Sequence, residues 1–165
     1  LISLGHRRIA IITNAPFEYT SAQQRHMGYR NALEAAGLPY DPDLVRTGAY
    51  TPASGRTAMN ELLRLAQPPT ALFVASDVVG MGALQAIRRA NLRIPDDISV
   101  VGFDDISLAA YYDPPLTTVR LPAYQLGWSA GDRLTALIQG ETLSEPYLLL
   151  DTELILREST CPAIR

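Results

Sequence analysis

The sequence predicts an α/β fold with three layers, in which an open, mainly parallel sheet is flanked by helices. Short apolar runs alternate with longer segments of helical periodicity, which is the pattern of βαβ units. Hydrophobic residues make up 47% and charged residues 19% of the 165 residues, as in ordinary globular domains. A domain of this size buries roughly two thirds of its unfolded surface. The chain is therefore long enough to build such a core.

The predicted strands are short runs of β-favouring, apolar residues bounded by polar or turn-forming residues. They cover residues 8–13, 44–47, 71–75 and 98–103, and a longer strand at 147–156 closes the fold. Apolar side chains at helical spacing predict four helices between and after these strands. They cover residues 21–36, 51–66, 77–90 and 123–139.

Local capping signals mark several helix ends. Ser21 and Gln24 have the spacing of a capping box. Thr51 followed by Pro52 suits an N-cap and a first helical position, and Ser76 or Asp77 precedes the next helix in the same way. Asn91 stands where a left-handed residue is expected to end that helix. These signals divide the chain into regular alternating units.

Composition excludes several classes of function for this segment. The net charge is −3, which argues against direct nucleic-acid binding. No apolar run reaches the ~18 residues of a membrane span, so we expect no membrane partner. Cys161 is the single cysteine, which rules out a disulfide framework within the chain. His6 and His26 lack ligand partners at metal-binding spacing, so we expect neither a metal nor a cofactor.

Residues 98–105 are the most informative passage, because a strand ends there in Asp104 and Asp105. Ligands of open parallel sheets bind at the carboxyl ends of the strands, so we predict that Asp104 binds a ligand. Neighbouring carboxylates in an extended segment diverge, which disfavours a pair of catalytic acids. Asp105 is interpreted instead as a structural cap for a helix near Ser107.

Two more residues are candidates for the same edge of the sheet. Arg25 lies one turn into the first helix, where a guanidinium and free backbone N–H groups point towards polar ligands. A surface arginine is the alternative. Tyr50 follows the second strand and could stack on a ring, or else cover the core. Gly80 and Gly82 lie too far inside their helix for a dinucleotide-binding loop, so we predict that they permit close helix packing.

The chain resembles the effector domain of bacterial repressors of the LacI/GalR family over almost its whole length. The motifs that carry the resemblance are residues 5–9, 21–33, 69–71 with 76–77, 94–105, 115–118 and 157–160. Each motif alone is modest evidence, but six in the right order and spacing are strong. The resemblance implies a periplasmic-binding-protein-like fold of type I, with this chain as the carboxyl-terminal, flavodoxin-like lobe.

The resemblance also implies a ligand site. Arg25 and Asp104 would hydrogen-bond hydroxyls or polar ring atoms of the effector, and Tyr50 would stack on a ring. Ser21 and Tyr19 lie at positions on the edge of the pocket. Two further positions depart from the family: Ser76 stands where Asn is common, and Leu121 where Gln is common. At both positions the side chain offers fewer hydrogen-bonding groups to a ligand than the residue that is common in the family.

The resemblance divides the chain into three parts. Residues 1–120 would form the carboxyl-terminal lobe, residues 121–145 a helix of the missing amino-terminal lobe, and residues 146–165 a returning strand and tail. The first residues resemble the end of a helix stopped by Gly5, so we expect a fragment. The helix carries an apolar stripe formed by Leu126, Ala130, Leu134, Leu137 and Ile138. Without the amino-terminal lobe, this stripe would have no partner surface. We expect the stripe to pack against a second copy or to fold back.

The expected function is small-molecule binding by a cytoplasmic transcription regulator, without catalysis. The effector would be a sugar or a related metabolite. A homodimer would form through the helix after Ser76 and the segment near Tyr112, and operator DNA would bind only through the missing amino-terminal domain. The alternative is a periplasmic sugar-binding receptor of a transport system. An enzyme that uses Asp104 or Asp105 ranks last, because no convergent partner is evident.

Overall fold

The computed structural model describes residues 1–143, 145 and 147–163. Its strands are β1 Ile9–Ile12, β2 Val45–Arg46, β3 Ala71–Val74, β4 Ser99–Asp104, β5 Thr117–Arg120 and β6 Glu153–Ile155. Its α-helices are α1 Thr20–Ala35, α2 Pro52–Leu63, α3 Asp77–Arg89 and α4 Ala123–Ile138. Short 3₁₀ helices cover Pro42–Leu44 and Ser107–Tyr111.

The strands form one six-stranded sheet in the order β2-β1-β3-β4-β5-β6. The first five strands pair in parallel, and only β6 runs antiparallel to its neighbour β5. The predicted mainly parallel, open sheet is therefore confirmed. Because parallel strands end on the same side, the loops after β1, β2, β3, β4 and β5 gather at one edge.

Helices pack on both faces of the sheet, as the three-layer prediction requires. Successive residues of β1 face opposite sides: Ile9 and Ile11 pack with Tyr29 and Leu33 of α1. The other face forms the larger core with α2 and α3. Its buried side chains include Ala10, Ile12, Met59, Leu62, Leu72, Val74, Val79, Ala83, Ile87, Val100 and Leu116.

Glycines allow α2 and α3 to approach closely. A Cβ added at Gly82 would lie 1.7 Å from the Pro52 carbonyl oxygen, and one added at Gly55 would lie 1.9 Å from the Val79 carbonyl oxygen. At Gly80 the added Cβ would lie 3.1 Å from a methyl carbon of Val74. The predicted packing role of Gly80 and Gly82 is thus confirmed, with Gly55 as an additional contact from α2.

Two of the four predicted capping signals are confirmed in full, and Ser76 is the N-cap residue of α3 but makes no side-chain cap bond. Thr51 caps α2, because its hydroxyl accepts a hydrogen bond from the Ser54 N–H at 3.2 Å. Asn91 has φ +58°, as expected for a left-handed helix stop. The capping box at Ser21 is wrong: α1 begins one residue earlier, with Tyr19 as an N-cap that makes no side-chain cap bond.

The carboxyl-terminal part differs from the expected long strand over 147–156. Only β6 is a strand, and it pairs through three residues, with Glu153 opposite Arg120. Because β5 ends at Arg120, the residues before Glu153 have no neighbouring strand to pair with. β5 itself was not among the predicted strands, since its polar threonines lack an apolar run.

Helix α4 has no buried side chain. Trp128 is 69% exposed and Ile138 77% exposed. The expected stripe is therefore uncovered, and of the two expected arrangements the folded-back one is not observed. Within the described ranges, no helix is both long enough and apolar enough to cross a membrane.

His6 joins the start of the chain to its end. The ring is 3% exposed. Its Nδ1 lies 3.1 Å from the Thr70 hydroxyl, and its Nε2 lies 3.1 Å from both the Ser99 hydroxyl and the Cys161 carbonyl oxygen. Burial lowers the pKa of His6. The described residues contain no cluster of three or more metal-ligating side chains.

We predict that Gly82→Ala lowers the free energy of unfolding by about 3 kcal/mol, because the new methyl group forces α3 away from α2. Gly28→Ala is the matched control. It lies within α1 with open space around the added Cβ, and it should raise stability by about 0.5–1 kcal/mol. Urea unfolding measures both values. Equal effects of the two substitutions would contradict the close helix contact.

Candidate functional site

Arg25 and Asp104 face each other at the carboxyl edge of the sheet. The Arg25 Nη2 lies 3.9 Å from the Asp104 Oδ1, and the two side chains are 20% and 28% exposed. The Arg25 guanidinium also lies over the Phe103 ring, 4.1 Å from its centroid, and donates to the Ala75 carbonyl oxygen at 3.1 Å. The cation is therefore held in place while a polar side remains open to a ligand.

Ser76 completes this group from the end of β3. It is the N-cap residue of α3, but its side chain makes no cap bond. Burial raises the pKa of Asp104, while the Ser76 side chain and the Arg25 charge act in the opposite direction. Three predicted site residues thus meet at one point.

The backbone at this point is strained. Asp104 has φ +115° and Asp105 has φ +54°, both in the left-handed half of φ space that non-glycine residues rarely occupy. Each such conformation costs about 1–3 kcal/mol and persists only where the surroundings hold it. Two consecutive residues of this kind indicate a loop that is shaped for function.

Asp77, the first residue of α3, anchors the strained loop by hydrogen bonds. Its side chain is completely buried. Oδ1 accepts from the Thr118 hydroxyl at 2.7 Å, and Oδ2 accepts from the Ile106 N–H at 3.0 Å. A Cβ added at Gly102 would lie 2.1 Å from Oδ1, so glycine makes room for this carboxylate. Burial is the main cause that raises the pKa of Asp77 to about 6.

Asp105 does not cap the short helix at Ser107–Tyr111, contrary to the sequence prediction. The N-cap position belongs to Ile106, and no side chain caps the helix. Asp105 instead accepts from Arg157 at 2.6 Å and from Arg120 at 2.8 Å. Burial alone would raise the pKa of Asp105, but the hydrogen bonds from the two arginines lower it overall. The left-handed backbone turns this carboxylate away from Asp104 and towards β5 and the tail.

The other three predicted site residues lie together beside the first group. The Tyr19 and Tyr50 rings pack edge to face, with centroids 6.0 Å apart, and each is about half exposed. Tyr50 has φ +56°, and its N–H donates to the Asn14 carbonyl oxygen at 2.9 Å. The Asn14 amide in turn donates to the exposed Ser21 hydroxyl at 3.2 Å. Asn14 therefore links Tyr50 to Ser21.

The sequence prediction missed three residues of this edge. Asp77 was considered only as a helix cap, Phe103 only as part of a strand, and Asn14 not at all. The position of Asn14 directly after the first strand is a signal that could have found it. Nothing in the sequence shows that Asp77 reaches across to β5, or that Phe103 lies under the Arg25 guanidinium.

The geometry suits the binding of a neutral, polar, ring-shaped molecule. Arg25 offers donors, Asp104 offers an acceptor, and the tyrosine rings offer apolar faces. Asp105 is engaged by two arginines, and Asp77 is held by Thr118 and the Ile106 N–H. The site therefore presents groups for hydrogen bonding and stacking.

The chain matches a known protein family over almost its whole length. The family model of the periplasmic binding protein-like domain matches residues 1–160. The chain therefore belongs to that family, and its homologues are LacI-family regulators.

Two relatives illustrate the similarity in sequence. The HTH-type transcriptional repressor CytR of Escherichia coli strain K12 is 42% identical over 160 residues, which are 97% of this chain and 47% of CytR. The HTH-type transcriptional regulator CelR of Thermobifida fusca is 43% identical over 159 residues, which are 96% of this chain and 46% of CelR. The chain thus spans about half the length of the curated relatives it matches.

Solved structures show the same similarity. A complex of the transcriptional regulator CelR with cellobiose superposes with a TM-score of 0.92 at 43% identity, covering 96% of this chain and 48% of that one. The lac repressor dimer bound to operator and the anti-inducer ONPF superposes with a TM-score of 0.90 at 35% identity, covering 98% and 55%. The fold class is thereby confirmed.

We predict that Asp77→Asn removes one component of the pH dependence of stability. The pKa of Asp77 is about 6 in the folded chain, against 3.8 for the unperturbed group. The folded state therefore binds the proton first, so this carboxyl adds stability below about pH 4 and loses that contribution as the pH rises through 6. Urea unfolding between pH 4 and pH 7.5 measures the difference in the free energy of unfolding between the variant and the wild type.

The difference in the free energy of unfolding should change with pH for Asp77→Asn, and Asp113→Asn, whose side chain is 94% exposed, is the matched control. Parallel stability curves for the wild type and Asp77→Asn would show that Asp77 ionises in the folded chain as it does in water.

Proposed function

We propose that this chain is the effector-binding lobe of a LacI-type transcription regulator. The observation that carries the proposal is the pairing of Arg25 with Asp104 at the carboxyl edge of the sheet, in a chain that is 42–43% identical to named transcription regulators. The lobe binds a small molecule and performs no chemistry on it. Ligand binding changes the population of two conformations, by as much as its affinities for them differ.

The proposed effector is a sugar or a related hydroxylated metabolite. Arg25, Asp104 and Ser76 bind its polar groups, while Tyr50 and Tyr19 contact its ring faces and Ser21 lies at the pocket edge. The structural relative CelR is in complex with cellobiose, which supports a carbohydrate as the ligand class. The short Ser76 and the apolar Leu121 favour an effector with fewer hydroxyl groups than a simple hexose.

The packing of the chain supports the proposed division into three parts. Residues 1–120 form the lobe itself, residues 121–145 contain a helix that belongs to a second lobe, and residues 146–165 return to the first. The absence of any buried side chain on α4 supports this division. The antiparallel pairing of β6 with β5 supports the return of the chain. In the isolated segment, α4 would pair with a second copy.

The proposed regulator is a cytoplasmic homodimer that binds operator DNA through a separate amino-terminal domain. A surface between α3 and the 3₁₀ helix Ser107–Tyr111 suits the dimer contact, because Tyr111 is 84% exposed and Leu108 55% exposed there. Tyr112 lies beside them, with its hydroxyl on the Asp77 carbonyl oxygen at 3.2 Å. The lac repressor relative is a dimer bound to operator, which supports the same assembly.

The natural reading frame around these codons tests the proposal. We expect it to encode a helix-turn-helix followed by about one further lobe before Leu1. A secretion signal followed by a lobe would contradict the regulator. It would favour a periplasmic sugar-binding receptor of a transport system, whose partner is a membrane permease.

We predict that Asp104→Ala weakens effector binding at least about tenfold, because a charge-assisted hydrogen bond to the ligand is lost. Titration calorimetry of the natural full-length protein with cellobiose, ribose and adenosine measures the affinity. DNA binding and the unfolding midpoint should stay close to those of the wild type. Asp113→Ala, which removes an exposed carboxylate later in the chain, is the control. Unchanged affinity in Asp104→Ala would remove Asp104 from the site.

A further inference from the structure

Asn14 carries a buried polar atom with no partner. The residue is the second one after β1 and is 2% exposed. Its Nδ2 donates to the Ser21 hydroxyl at 3.2 Å, but its Oδ1 makes no hydrogen bond. Among the described residues, it is the single buried side-chain nitrogen or oxygen in this condition.

Such an atom calls for a physical explanation. Buried polar groups in proteins are nearly always hydrogen-bonded, because an unmet acceptor loses its water without compensation. Chains keep such groups where something other than stability selects them. Asn14 is a candidate for a role in binding because it lies at the carboxyl edge of the sheet, where the ligand site is.

The neighbours of Asn14 belong to the proposed site. Its carbonyl oxygen accepts from the Tyr50 N–H at 2.9 Å, and its amide contacts Ser21, the second residue of α1. Helix α1 starts without a side-chain cap, so its amino end adds N–H dipoles at the same place. The buried amide is therefore aimed at the first turn of a 16-residue helix with an open end.

We propose that Asn14 is a specificity-determining residue that binds one hydroxyl group of the effector. The proposal rests on the proposed ligand-binding function and extends it to a position that the sequence prediction did not include. The hydroxyl pairs with the free end of the Asn14 amide, while Ser21 holds the other end.

A hydroxyl is the ligand group that fits this amide best. The Ser21 hydroxyl both donates and accepts, so the Asn14 amide can present either its oxygen or its nitrogen to the site. A ligand hydroxyl also both donates and accepts, and it satisfies either orientation. A ligand carbonyl or ammonium group would satisfy only one.

The proposed route to the amide runs between the two tyrosines. Tyr50 is bonded to Asn14 through its backbone, and Tyr19 precedes the first turn that carries Ser21. Their rings pack edge to face at 6.0 Å and are about half exposed, so they can separate without opening the core. A ring-shaped ligand that enters between them brings a hydroxyl to Asn14 while its faces contact the tyrosines.

The test uses Asn14→Leu in the natural full-length protein, with Asn60→Leu on the exposed face of α2 as the matched control. Leucine has a similar volume but no polar atoms. Thermal unfolding without ligand shows whether the amide supports the fold, and calorimetry with cellobiose, ribose and adenosine shows whether it binds a ligand. A deoxy analogue of whichever probe binds identifies the hydroxyl.

We expect the unfolding midpoint of Asn14→Leu to stay within about 2 °C of the wild type or to rise, because an unmet group is removed. Affinity should fall about tenfold to a hundredfold, and the variant should no longer distinguish the probe from one deoxy analogue. The Asn60→Leu control should change neither quantity.

Two outcomes would overturn the proposal. A midpoint lowered by more than about 5 °C would show that the amide is a satisfied structural group. Unchanged affinity at an unchanged midpoint would show that it does not touch the ligand. If no probe binds the wild type, the proposed ligand class fails instead. The unfolding midpoint of Asn14→Leu without ligand then still shows whether the Asn14 amide lacks a hydrogen-bond partner.

Discussion

The buried Asp77 carboxylate is the interaction on which the rest of the site depends. It joins the first turn of α3 to β5 through Thr118 and to the loop after β4 through the Ile106 N–H. That loop contains two consecutive left-handed aspartates, a conformation that would relax without an anchor. Gly102 leaves space for the carboxylate. A charge buried at this depth is unfavourable in itself. The hydrogen bonds that compensate for its burial also hold the loop in place.

The loop gives its two carboxylates different roles. Asp105 is neutralised by Arg120 and Arg157, which ties the loop to β5 and to the tail that follows β6. Asp104 points the other way, towards Arg25 at 3.9 Å. This distance is longer than a hydrogen bond, so both groups keep capacity for a ligand between or beside them. The left-handed backbone separates a structural carboxylate from one that is free to bind.

The fold was largely predictable because hydrophobic periodicity and turn residues act locally. The apolar runs at β1, β3 and β4 and the glycine-assisted packing of α3 are examples. Patterns of this kind failed where long-range pairing decides structure. The extent of β6 is set by where β5 ends, and the partners of Asp105 lie 15 and 52 residues away.

The candidate site shows the same division. Arg25, Asp104 and Ser76 were predictable because strand ends and helix starts place them at one edge, and the structure brings Arg25 and Asp104 face to face. Asn14 and Asp77 were not, because their importance lies in burial and hydrogen bonding rather than in sequence spacing. Asn14 is buried with an unmet oxygen, and Asp77 is buried with two partners. Only the packed structure distinguishes these two conditions.

The most direct test is a crystal structure of the protein with its bound effector. Polar atoms of the effector should lie within hydrogen-bond distance of both the Arg25 guanidinium and the Asp104 carboxylate, and the Asp77 contacts should be unchanged. An effector bound elsewhere, with Arg25 and Asp104 contacting only each other, would contradict the proposed site.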